Sequence, residues 1–155
     1  MLCGSAHPSA REPCPESFIR SSLSTILVVD DDADTRVMFR LILEPAGHVV
    51  VEATNGEAAM EFISPDALPD VITTDLAMPI MNGEKLITRL KAHASTASIP
   101  IVVVSADPDG ARALETSGVV EAVVIKPFDP FALEACIRAV AGISARAAGS
   151  AREHV

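Results

Sequence analysis

The sequence predicts an α/β fold: a parallel sheet of five strands with a helix in each connection. Two observations carry this prediction. Five short apolar runs rich in β-branched residues, Ile26-Leu27-Val28-Val29, Val49-Val50-Val51, Val71-Ile72, Ile101-Val102-Val103-Val104 and Val123-Val124-Ile125, begin 22 to 30 residues apart. That interval holds one crossover helix, the connection a parallel strand pair needs. The runs are also continuous rather than alternating, the pattern of strands covered on both faces.

Each connection carries its own helical signals. After the first run, Val37, Leu41 and Ile42 recur at helical spacing until Glu44-Pro45 and Gly47 stop them. Asn55 is suited to cap a second helix bearing Ala59, Phe62 and Ile63, which Pro65 ends. Leu86, Ile87 and Leu90 form the apolar stripe of a third, entered through Asn82-Gly83. Pro108 fits the first turn of a short fourth helix, which Gly110 weakens and Gly118 lets the chain leave. In the fifth, Asp129 caps, Pro130 takes the first helical position, and Leu133, Ile137 and Val140 face inward.

With 155 residues, 49% of them hydrophobic, the chain suffices for one sizeable core. Residues 1–23, with three prolines and little apolar periodicity, read as a disordered leader. Residues 24–142 read as the domain and 143–155 as a flexible Ala/Ser/Arg tail. No second domain is expected to follow, so output is expected to pass through a partner. A net charge of −9 repels a phosphate backbone, which argues against direct nucleic-acid binding. Cys3, Cys14 and Cys136 are odd in number and lack a C-x-x-C spacing, as expected of free thiols in a reducing cytoplasm. Cys3, His7 and Cys14 fit no standard metal-ligand spacing. Neither a membrane-spanning run nor a signal-peptide apolar region is present, so a soluble, unexported protein is expected. His48 and His93 stand alone and read as solvated; Cys136 reads as a small core residue, and Met78 and Met81 as packing residues.

Ligands of an open parallel α/β sheet bind outside the carboxyl ends of its strands. Here the first strand ends in Asp30-Asp31-Asp32, the third in Asp75, the fourth in Ser105 and the fifth in Lys126-Pro127. Brought together, carboxylates about 4 Å apart repel by roughly 4 kcal/mol per pair at an effective dielectric of about 20, so the cluster calls for a cation. Oxygen ligands on short side chains favour Mg²⁺. The following helix begins near Ala33 and turns its positive end to the same cluster. Asp75 could then act as nucleophile toward a phosphoryl donor and form an acyl phosphate. The cation and Lys126 would neutralise the transferring oxygens, and the Ser105 hydroxyl would donate to one of them. An Asp at a strand end is also an ordinary cap or turn residue, the role assigned to Asp32 and Asp34. The coincidence of acids, hydroxyl and lysine at four strand ends favours chemistry for the others.

These residues resemble the response-regulator receiver family, the CheY-like domains of two-component signalling, over about residues 24 to 142. The motifs are I-L-V-V-D-D-D at 26–32, D-V-I-T-T-D-L-A-M-P-I-M-N-G at 70–83, V-V-V-S-A at 102–106 and I-K-P-F at 125–128. The resemblance implies a flavodoxin-like, doubly wound sheet of order 2-1-3-4-5 flanked by five helices. It implies Asp75 as phospho-acceptor, and Asp30, Asp31, Asp75 and the Ala77 backbone carbonyl as Mg²⁺ ligands. Ser105 would be the switch hydroxyl and Lys126 the phosphoryl contact, with a cis Lys126-Pro127 bond. The implied partners are a histidine kinase or phosphotransfer protein and a downstream protein target. The only chemistry expected is transfer to Asp75 and hydrolysis from it. Val123 departs from the pattern, because the family often places an aromatic switch there, and Ser105 replaces a commoner Thr.

Two other readings share some of these residues. Asp30-x-Asp32, Ser105 and Lys126 imitate the first three motifs of a haloacid-dehalogenase-like phosphatase, although only Asp129 follows as a further acid and it suits a helix cap. The missing aromatic at Val123 leaves room for a receiver-fold binding module that does not use phosphorylation.

Overall fold

The computed structural model describes residues 24–150, with side chains through residue 142. Five strands, β1 (Thr25–Val29), β2 (Val49–Ala53), β3 (Val71–Thr74), β4 (Ile101–Ser105) and β5 (Ala122–Ile125), form one sheet of order β2-β1-β3-β4-β5. All pairs are parallel, with Ile26 opposite both Val50 and Val71, and Val103 opposite both Thr74 and Val123. Because successive strand residues point to opposite faces, β1 serves two cores at once. Ile26 and Val28 pack with Val71, Val102 and Val104 under α1 (Ala33–Leu43) and α6 (Pro130–Ser150). Leu27 and Val29 pack with Ile72, Ile101 and Val103 on the other face. That face is covered by α2 (Gly56–Phe62), α3 (Gly83–Ala92) and α5 (Pro108–Thr116).

The caps form as their side chains dictate. The Asn55 carboxamide accepts from the Ala58 amide at 2.9 Å, Asn82 from Lys85 at 2.9 Å, and Asp129 from Phe131 at 2.7 Å. Leu86, Ile87 and Leu90 are buried on α3, as are Leu133, Ile137 and Val140 on α6. Gly118 leaves α5 with φ +76°, and the Lys126-Pro127 bond is cis.

Four features differ from the sequence reading. Among the described residues there are six helices rather than five, because a one-turn α4 (Ala94–Ala97) follows α3. It is held by the Thr96 hydroxyl, which donates to the Leu90 carbonyl at 2.6 Å. On α1 the inward stripe is Phe39 and Leu43, with Phe39 edge-on to Phe128 at 5.8 Å, whereas Val37 and Leu41 face outward. Expected to close near Gly142, α6 instead runs to Ser150, since an Ala-rich segment favours helix enough to absorb a glycine. His48, read as solvated, is buried between α1 and α6 at 6% exposure, while His93 is exposed as expected. The leader over 1–23, with Cys3, His7 and Cys14, and the tail beyond 150 lie outside the described residues.

Candidate functional site

Every sequence-predicted site residue sits at the carboxyl edge of the sheet. Asp30 directly follows β1, Asp75 follows β3, Ser105 ends β4 and Lys126 follows β5. The register makes these neighbours: the Asp30 amide donates to the Ala53 carbonyl at 3.1 Å, Asp75 to Val29 at 3.1 Å and Lys126 to Ser105 at 2.9 Å. The ladder thus continues one step beyond the strands and fixes where each side chain departs.

Asp30, Asp31 and Asp75 each offer a carboxylate oxygen within 4.8 Å of the others. Lys126 stands among them, its Nζ 2.8 Å from Asp30 Oδ2 and 2.9 Å from Asp75 Oδ2. Burial pushes the Asp30 carboxyl above the usual range, although Lys126 and the Asp32 amide both favour its ionised form. For Lys126, burial alone would favour the neutral amine; its hydrogen bonds to Asp30 and Asp75 outweigh burial and raise it above the ordinary lysine value, so it stays charged. Asp31 is exposed, and Asp75 is partly so.

The second Asp75 oxygen, Oδ1, accepts from the Leu76 amide at 2.6 Å and the Ala77 amide at 3.4 Å. Thr74 donates its hydroxyl to the Asp75 carbonyl at 2.8 Å, and the Gly83 amide donates to Leu76 at 3.0 Å. On this side a shallow depression is lined by Asp75, Leu76, Ala77, Ser105, Ala106 and Asp107. Ser105 is buried and its hydroxyl oxygen accepts from the Asp107 amide at 3.1 Å, which leaves the hydroxyl proton available for donation. Val123 is half-buried against the core face shared with α5.

Asp32 takes no part in the cluster. Its carboxylate caps α1, accepting from the Asp34 amide at 3.2 Å and the Thr35 hydroxyl at 2.8 Å. Asp129 likewise caps α6. Asp32 and Asp129, the acids that a haloacid-dehalogenase-like reading would call on beyond Asp30, are therefore both spent on helix ends. The larger groove of the domain, between α1 and α6 and lined by Leu41, Ile42, His48 and Phe131, lies apart from the acidic cluster.

Two residues with a bearing on the site went unread in the sequence. Arg36 donates from Nη1 to the Asp30 carbonyl at 2.8 Å. The available signal was a cation in the first turn of a helix, where the positive end disfavours it unless a partner compensates. Gly83 was read only as the start of α3. A Cβ there would come within 2.1 Å of the Asp75 carbonyl oxygen, so the glycine permits the close approach of helix and acceptor loop.

A doubly wound parallel sheet whose carboxyl edge gathers three carboxylates, a lysine and a hydroxyl defines an open α/β domain with an acidic cluster at its ligand-binding edge. More particularly, the chain belongs to the response regulator receiver domain family, whose sequence profile matches residues 26–138. It is 37% identical over 119 residues to the phosphate regulon transcriptional regulatory protein PhoB of Pseudomonas aeruginosa, covering 75% of this chain and 51% of PhoB. It is 35% identical over 145 residues to the sensor histidine kinase TmoS of Ectopseudomonas mendocina, covering 93% of this chain and 14% of that protein. The chain thus spans about half, or much less, of the length of these relatives. Among solved structures it resembles the chemotaxis response regulator CheY4 of Vibrio cholerae, with a TM-score of 0.68 and 27% identity over 76% of this chain and 98% of CheY4.

Proposed function

We propose that Asp75 accepts a phosphoryl group from the phosphohistidine of a histidine kinase or phosphotransfer protein, and that the phosphorylated domain signals through protein contacts. The observation that carries this reading is the pairing at Asp75. Its carboxylate is gripped by the Leu76 amide and Lys126, and it stands within 4.8 Å of two further carboxylates. In the transfer, one Asp75 oxygen bonds to phosphorus while the donor's P–N bond breaks, and the electron pair returns to the imidazole nitrogen. Lys126 holds positive charge beside the transferring oxygens, and Ser105 donates its hydroxyl proton to one of them. Hydrolysis reverses the state: water attacks phosphorus, the P–O bond to Asp75 breaks, and the carboxylate is restored. Turnover of a separate substrate forms no part of this reading.

The donor set fits a hard divalent cation, because three carboxylates converge and one is buried against its own ionisation. Asp30, Asp31, Asp75 and the Ala77 carbonyl would hold Mg²⁺, which when bound supplies positive charge that screens the carboxylates and the phosphoryl oxygens. No helix among the described residues is long and apolar enough to cross a membrane. The thiol pattern of the sequence supports a cytoplasmic setting for this reading.

The test is labelling with acetyl phosphate and Mg²⁺, read on phosphate-resolving gels. Wild type should form an acid-stable, base-labile acyl phosphate and Asp75→Asn should form none; undiminished labelling of Asp75→Asn would remove the assignment.

A further inference from the structure

Asp30 is held through every hydrogen-bonding group it has. Its amide donates to Ala53, Oδ1 accepts from the Asp32 amide at 2.9 Å, Oδ2 meets Lys126, and its carbonyl accepts from Arg36 Nη1 at 2.8 Å. The last contact is electrostatically out of place, since Arg36 lies in the first turn of α1. What retains it is Glu52 on β2, whose Oε1 is 3.3 Å from Arg36 Nε. The Arg36 side chain is only 15% exposed, so this is not a loose surface pair. Glu52 is shared with Arg40, whose Nε and Nη2 lie 2.8 and 2.6 Å from Oε2. Among the described contacts, Arg40 reaches Glu52 and Glu44, and Arg36 alone of the two reaches Asp30.

We propose that Arg36 is a positioning residue for the cation pocket, clamping the main chain of Asp30 to β2 through Glu52. The inference rests on the reading that the acidic cluster holds Mg²⁺. Without a cation, repulsion among Asp30, Asp31 and Asp75 favours an outward swing of the Asp30-Asp31 segment. A guanidinium with one nitrogen on the Asp30 carbonyl and another on Glu52 opposes that swing and keeps the pocket assembled. The planar fork spans two acceptors at once, which a lysine ammonium at the same position reproduces only in part.

The experiment is a Mg²⁺ titration of the unphosphorylated full chain, followed by amide NMR shifts at residues 30–32 and 75–77, with thermal unfolding measured alongside. Arg36→Ala should weaken Mg²⁺ binding roughly ten-fold, the low end for loss of an outer partner of a metal ligand. Arg36→Lys should recover part of that loss. Should Arg36→Ala fold poorly, Glu52→Gln, which leaves the arginine in place but ungripped, should show an intermediate weakening. Arg40→Ala removes a neighbouring contact to the same Glu52 and should lower stability while leaving Mg²⁺ affinity within about two-fold of wild type. Unchanged affinity in Arg36→Ala, or equal weakening in Arg40→Ala, would overturn the proposal. Wild type that binds no Mg²⁺ would instead overturn both this inference and the reading beneath it. Because no phosphodonor is present, failure of Asp75 to accept a phosphoryl group would leave the titration intact.

Discussion

Gly83→Ala should damage both the fold and the acceptor loop, although on a helix alanine is ordinarily the better residue. The added Cβ would lie 2.1 Å from the Asp75 carbonyl oxygen and 2.9 Å from both the Asp75 carbonyl carbon and Leu76 Cα. These are backbone atoms, which no rotamer change removes. Since weak C–H···O contacts sit at about 3.3–3.6 Å, the start of α3 or the loop must move by roughly 1 Å. Overpacking of this kind costs about 1–3 kcal/mol, against a gain of up to about 1 kcal/mol from helix propensity. A net loss of about 1–2 kcal/mol is expected. Gly142→Ala is the control: it lies inside α6, and nothing stands within 4 Å of its added Cβ. The same chemical change there should stabilise by up to about 1 kcal/mol. Urea unfolding followed by circular dichroism suits both variants, because the chain has neither Trp nor Tyr. A 1 Å displacement of the Asp75 main chain should also slow phosphoryl labelling by about a hundred-fold or less. Gly83→Ala at wild-type stability, or Gly142→Ala equally harmful, would refute the reasoning.

Further outcomes follow from the same contacts. Lys126→Met removes an ammonium 2.8 and 2.9 Å from two carboxylates. With a lysine side chain 21% exposed, the loss should be about 2–3 kcal/mol, at or below the low end for broken buried pairs. Saturating Mg²⁺ should restore more stability to this variant than it adds to wild type in the same urea series; equal increments would count against the site. Burial pushes the His48 imidazole below its ordinary value of 6.5, with Glu134 opposing and Arg138 reinforcing the shift. A depressed folded value means the stability contribution is present above pH 6.5 and lost as pH falls through the folded value. His48→Gln should therefore flatten the urea midpoint against pH below 6.5, and an unchanged slope would exclude His48 as the cause. Ile80, a residue 76% exposed, holds φ 68°, a conformation that β-branched residues rarely adopt. Relief of about 1–3 kcal/mol of strain, less about 0.5–1 kcal/mol for glycine's entropy, predicts a higher melting temperature by calorimetry for Ile80→Gly. A lower melting temperature would show that side-chain contacts hold the loop.

Most of the sheet was legible because its signal is simple. Strands buried on both faces must be apolar throughout, and each of the five runs became a strand. Asn55 and Asp129 were readable as caps and Asn82 as the entry to α3, from side chains that accept from free amides, whereas Asp107, the cap of α5, was not read. The site was legible for a related reason, since a carboxylate, hydroxyl or lysine at the end of an apolar run departs from the run's own logic. What failed depended on choices that periodicity cannot make. Helix α1 carries two stripes at i,i+4 spacing, Val37–Leu41 and Phe39–Leu43, and tertiary packing, including the edge-on contact of Phe39 with Phe128, turns the second inward. Four residues of α4 are too few to show a period. Arg36 and Gly83 act through main-chain atoms of Asp30 and Asp75, across a strand end and a loop, contacts that apolar periodicity does not show.

The locally unfavourable features gather around one loop and one strand end, which bears on how the site works. Asp30 is buried as an acid with its ionised form disfavoured, Arg36 faces the positive end of its own helix, and Ile80 is strained in the loop that carries Asp75. Each would be corrected by an ordinary substitution if stability were the only demand. Together they keep three carboxylates close to one another, with Asp30 buried among them, a state the chain alone disfavours. Lys126 compensates only part of this charge, and its ammonium has three N–H groups, of which Asp30 and Asp75 take two. Among the described residues the third has no partner, so on the proposed reading the lysine would hold the acids together before transfer and meet the phosphoryl group without first releasing them.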